Sequence, residues 1–142
     1  MSVYPGFSAL TCAVGDLGAA TRFYEALGFP LSRGASGAQT SWFALETCAL
    51  LLRERAASAA THVWPMRGRA APILTRHLAS AREADEAARK WVEAGGRFLR
   101  ARGGAGRAVF RTFVADPEGL VFEFVHDPAL LPGPQGRLVL PP

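Results

Sequence analysis

The chain has 142 residues, 49% of them hydrophobic, which is enough to bury a core within the usual size of one domain. No run approaches the roughly 20 apolar residues that span a bilayer, and the opening MSVYPGFSAL lacks a basic stretch followed by an apolar one. The composition therefore predicts a cytoplasmic protein with no membrane partner. The net charge is +4, but all of the 16 basic residues except Lys90 are Arg, scattered along the chain without the clustered stripe and interleaved aromatics of a nucleic-acid surface. No nucleic-acid partner is expected: Arg97, Arg100, Arg102, Arg107 and Arg111 come nearest to a cluster, and they are spread across a Gly-rich segment that reads as a hairpin connection.

In chain order, SALTCAV alternates Leu10, Cys12 and Val14 with Ala9, Thr11 and Ala13, the pattern of a half-buried strand. Asp16 is placed to cap a helix over LGAATRFYEAL, which carries Leu17, Ala20, Phe23, Tyr24 and Leu27 at helical spacing and ends at Gly28. Three short strands are predicted next, in FPLSR, QTSWFALE and CALLLRE. Cys12 and Cys48 both lie in apolar, strand-like runs without metal-ligand spacing, so they read as reduced core residues.

An Arg/Ala/Pro-rich connector follows, and then the order repeats. PILTRHLA reads as a strand; Ser80 with Glu83 forms a capping box; Ala84, Ala87, Ala88, Trp91 and Val92 mark the inner face of a helix that stops at Gly95 and Gly96. RFLRA, AVFRTFVA and GLVFEFV read as three strands, the last two joined by a turn over Asp116, Pro117, Glu118 and Gly119. The repetition implies an internal duplication of a βαβββ unit: a first module over about 6–53, a connector over 54–71, a second module over 72–126 and a Pro-rich tail over 127–142.

The paired βαβββ plan, opened by VGDLGAATRFYEALGF and closed by FVADPEGLVFEFV, resembles the vicinal oxygen chelate superfamily, which includes glyoxalase I, bleomycin-resistance proteins and extradiol dioxygenases. The tail HDPALLPGPQGRLVLPP is similar to the ending of a large bacterial subgroup of that superfamily. The resemblance implies an α+β fold in which two βαβββ modules form a curved mixed-sheet cup with helices outside, and it implies a homodimer.

Glu123 is the leading candidate site residue. It is one carboxylate in the middle of an apolar strand, and a charge there must meet a cation, a metal or hydrogen-bond donors if it is buried. In the metal-dependent members that the chain resembles, ligands come from the first and last strands of each half. Ala9 stands at the first-strand His, and Leu50, Leu51 or Leu52 stands where a last-strand carboxylate would be, while Glu123 keeps the corresponding place in the second half. The remaining position falls on Arg76 by a gapless count back from Gly95, which also keeps Ala79 and Ala81 toward the helix; a one-residue deletion would bring His77 there instead.

On either count at most two ligands survive, so no cofactor and no tightly held divalent metal is expected. Arg76 facing Glu123 would supply the missing positive charge. Trp42, Trp64, Phe110 and Arg111 are the remaining candidates for lining a small-molecule pocket. The expected function is metal-free binding of an apolar or aromatic metabolite or antibiotic. The alternatives are a metal-dependent lyase, isomerase or dioxygenase using Glu123 and His77, and metal-free catalysis with Glu123 as general base.

Overall fold

The computed structural model describes residues 8–57, 73–103, 108–133, 138 and 140. The chain divides into two units, Met1–Arg67 and Gly68–Pro142, and each repeats one order of elements.

The first unit contains β1 (Ala9–Val14), α1 (Leu17–Ala26), β2 (Leu31–Ser32), β3 (Thr40–Ala44) and β4 (Ala49–Glu54). Its sheet runs β1-β4-β3-β2, with β1 parallel to β4 and the other pairs antiparallel. The Asp16 carboxylate accepts the Ala19 amide at 2.8 Å and so caps α1. Leu17, Ala20, Phe23 and Tyr24 are buried, and the Tyr24 ring lies 5.8 Å from that of Phe43 on β3. Thr21 and Ser41 hydroxyls meet at 2.7 Å. The face carrying Ser41, Phe43, Leu50 and Leu52 therefore lies under the helix, and by the alternation of strand side chains Thr11, Trp42 and Leu51 lie on the other face.

The second unit contains β5 (Leu74–His77), α2 (Ala81–Glu93), β6 (Arg97–Arg102), β7 (Phe110–Ala115) and β8 (Val121–His126), with sheet order β5-β8-β7-β6. The capping box forms in a displaced version. The Ser80 hydroxyl accepts the Glu83 amide at 3.1 Å, and the Glu83 carboxylate accepts the amide of Ala79, one residue before the cap, at 3.0 Å. α2 packs on β7 and β8 through Ala84, Ala88 and Trp91. The Trp91 indole donates to the Ala115 carbonyl at 3.0 Å, and its rings lie 4.3 Å from Phe122 and 5.7 Å from Phe124.

Val92 does not join this inner face as expected; it is 45% exposed. With Trp91 aimed at the sheet, the next residue points about 100° round the helix, out beside Phe98, which is 52% exposed. Neither cysteine forms a disulfide, and both are half-buried. Among the described residues no helix is long and apolar enough to cross a membrane.

The turn joining β7 to β8 is closed by the Gly119 amide, which donates to the Asp116 carbonyl at 3.0 Å. The buried Asp116 carboxylate accepts the amides of Glu118 and Leu120 at 2.9 and 2.8 Å. Gly119, at φ 93, supplies the left-handed residue that this geometry needs. Gly96 is required for a different reason. A Cβ there would overlap the Trp91 ring and sit 2.8 Å from the Ala115 oxygen.

Two substitutions test this packing. Gly96→Ala should lower stability by about 1–3 kcal/mol, because the backbone at the helix exit has to move off Trp91. Thr112→Val should raise it by about 1 kcal/mol, because the buried Thr112 hydroxyl has no hydrogen-bond partner among the described residues and removing it relieves a desolvation cost. Chemical denaturation of both variants gives the comparison, and a neutral Gly96→Ala or a destabilising Thr112→Val would contradict the packing described.

Candidate functional site

Phe122 and Phe124 on β8 contact Trp91 of α2, so Glu123 between them points to the helix-free face of the sheet. Strand register then fixes its company. Thr75 lies opposite Glu123 and His77 opposite Val125 on the parallel neighbour β5. Phe113 lies opposite Glu123 and Arg111 opposite Val125 on the antiparallel neighbour β7. These four residues share the face of Glu123.

Glu123 is 8% exposed, and both of its oxygens are engaged. The Thr75 hydroxyl donates to Oε2 at 2.9 Å, and Arg111 Nη1 donates to Oε1 at 2.5 Å. The sequence demanded a donor set for this carboxylate if it were buried, and the sheet supplies one from each neighbouring strand. The Arg111 side chain remains 44% exposed. Among the described residues it makes this one side-chain hydrogen bond, which leaves most of its guanidinium donors open to water or to a guest.

The cation at Glu123 is therefore Arg111, and the expected pairing with Arg76 does not form. Arg76 is paired in register with Phe124, on the helix side of the sheet, and is exposed. The count that placed it inward started from the helix ends, and α2 has 13 residues against 10 in α1. Counted instead from the N-caps Asp16 and Ser80, which adjoin the strands, the counterpart of Ala9 is Ile73.

His77 does turn to the face of Glu123. Its Nδ1 lies 3.2 Å from the Leu130 carbonyl oxygen; a carbonyl only accepts, so Nδ1 carries the hydrogen. Phe110 lies on the face opposite to Arg111, opposite His126 in register, because adjacent strand residues alternate. Trp42 belongs to the first unit, on the helix-free face of its sheet, where it is paired with Leu51. Trp64 lies outside the described residues. Thr75 was missed in the sequence, although it precedes His77 by one strand period.

The internal repeat gives a fit test for a metal. Thr11 lies opposite Leu51 in the first sheet as Thr75 lies opposite Glu123 in the second, so the position matching Glu123 holds an aliphatic side chain. Among the described residues no three His, Cys, Asp or Glu side chains come together, and Glu123 already shares its oxygens with a guanidinium and a hydroxyl. This donor set does not fit a divalent ion held by three protein atoms. Two surface depressions lie elsewhere on the second unit. One, of about 460 Å³, is lined by Gly95, Arg97 and the β7–β8 turn, and the other, of about 260 Å³, runs along α2 beside Val92 and Phe98.

Comparison with solved structures finds a glyoxalase-related enzyme from Fulvimarina pelagi with a TM-score of 0.81 at 22% identity, covering 98% of this chain and 100% of that one. A lactoylglutathione lyase from Agrobacterium tumefaciens gives a TM-score of 0.63 at 18% identity, covering 87% of this chain and 95% of that one. The fosfomycin resistance protein FosX from Listeria monocytogenes gives 0.66 at 16% identity, covering 87% and 94%. These likenesses establish a common fold. No curated protein matches the sequence. Residues 6–124 match the family profile of the Glyoxalase/Bleomycin resistance protein/Dioxygenase superfamily, and the chain belongs to that superfamily.

Proposed function

We propose that the chain is a small-molecule-binding protein of this superfamily that uses the helix-free face of its second sheet without a metal. The observation that carries the reading is the ion pair between Arg111 and Glu123. A carboxylate at this depth needs a positive partner, and here the partner is a side chain, fixed covalently and present at all times. A divalent ion at Glu123 would have to displace Arg111 and would then find a single carboxylate and a hydroxyl. Beside the pair, the half-buried Phe113 offers apolar surface, and Arg111 offers open donors. Such a mixture of apolar surface with a few fixed polar groups suits capture of a small molecule. A homodimer in the cytoplasm is part of the same proposal, because each open sheet leaves edges that must be paired or covered.

One observation supports a second reading, a metal-dependent enzyme. His77 shares the face of Glu123, and a His whose Nδ1–H is held by a carbonyl presents Nε2 in the form that ligates metals. Elemental analysis of protein purified without chelator separates the two. The proposal expects well below one equivalent of first-row metal per chain and a melting temperature unmoved by EDTA. About one equivalent, with a melt lowered by EDTA, would establish the second reading in its place, since an ion bound only to the folded state adds to its stability.

A further inference from the structure

Arg97 and Phe98 on β6 lie opposite Ala115 and Val114 of β7, and the register then shifts, so that Arg100 lies opposite Phe113 and Arg102 opposite Arg111. The bulge at Leu99 has a consequence for charge. In an unbroken strand Arg97 would share its face with Leu99 and Ala101, and Arg100 and Arg102 would turn toward α2. The extra residue reverses the phase and brings Arg100 and Arg102 onto the helix-free face beside Arg111.

Arg102 and Arg111 are directly opposite on adjacent antiparallel strands, an arrangement that destabilises a sheet when both residues carry the same charge. Glu123 offsets one positive charge of the three. Among the described residues Arg100 and Arg102 have no ion-pair partner, and all of β6 is exposed. Arg97, at the far end of the strand, borders a depression with Asp116 and Glu118 and is left out of the cluster. Guarding the edge strand against pairing with another chain would also use arginines, but it would not require them to be gathered on the face that holds the Arg111–Glu123 ion pair.

We propose that Arg100, Arg102 and Arg111 form an oxyanion site on the helix-free face of the second sheet, which takes the carboxylate or phosphate group of a small molecule. The inference rests on the reading that this face binds a small molecule, and it adds the chemical class. Glu123 fixes one end of the Arg111 guanidinium and leaves the other to pair with the anion, with Arg102 across the strand pair closing on it. Phe113, one strand period from Arg111 and paired with Arg100 on one side and Glu123 on the other, lies where the body of the ligand would rest.

The test uses two matched probe pairs, benzoate against benzamide and phenyl phosphate against phenol, with binding followed by calorimetry on the full chain. Each anion should bind about tenfold tighter than its neutral counterpart, and Arg102→Gln should abolish that preference. Arg102 is exposed on an edge strand and faces the like charge of Arg111, so this variant should melt no lower than the wild type. Arg89→Gln removes the same charge from the outer surface of α2, where Arg89 pairs with Asp85, and should leave the preference intact. Benzoate and phenyl phosphate distinguish a carboxylate site from a phosphate site.

Equal binding of anionic and neutral probes would overturn the oxyanion site while leaving the small-molecule reading standing. An equal loss in Arg89→Gln and Arg102→Gln would also overturn it, since it would show a general charge effect. Tighter binding of a single-stranded oligonucleotide than of either probe, weakening steeply with salt, would replace it with a nucleic-acid surface. One equivalent of bound metal would overturn the underlying reading as well.

Discussion

The second unit is organised around a buried carboxylate that the sheet must satisfy. Glu123 sits in the central part of β8, flanked by aromatic residues committed to the helix. Leaving its charge unpaired would cost several kcal/mol, a large share of the stability of a small domain. The register of three strands is what prevents this. β5 brings the Thr75 hydroxyl to one oxygen and β7 brings Arg111 to the other. A slip of one residue in either neighbour would turn the donor to the helix face, so the pair also specifies the alignment of the sheet.

The same requirement shapes what the face can do. In the first unit the matching position is Leu51, which needs no partner, and its neighbours on that face are Thr11 on β1 and Trp42 on β3. In the second unit a guanidinium is held in place by a carboxylate and faces solvent. A positioned arginine is a recognition group with its geometry fixed before the ligand arrives, which lowers the entropy lost on binding. The bulge in β6 then sets further arginines beside it. Fold membership leaves the activity open; it is these side chains that give the face its chemistry.

Much of the fold was legible because its signals are local. Asp16 and Ser80 announced both helices, Gly28 and Gly95 ended them at positive φ, and the Asp116–Gly119 turn fixed the final hairpin. Glu123 stood out as a charge inside an apolar strand. Its partner did not, because pairing depends on register between strands far apart in sequence, and a count from the helix ends inherits the longer α2. Arg76, His77, Phe110 and Arg111 could be nominated together, but only strand alignment separates Arg111 and His77 from Arg76 and Phe110. The arginines read as scattered in the sequence for a similar reason. Its residues share a face only through a one-residue bulge at Leu99, and the RFLRA segment carries no Gly to mark one.

A double-mutant cycle on Arg111 and Glu123, using Arg111→Met, Glu123→Gln and the pair, tests the central claim most directly. Stabilities measured by denaturation with and without EDTA should give a coupling energy of about 0.5–3 kcal/mol that is the same in both conditions. No coupling between the two residues, or a coupling that emerges only once metal is stripped away, would show that Glu123 depends on something other than Arg111.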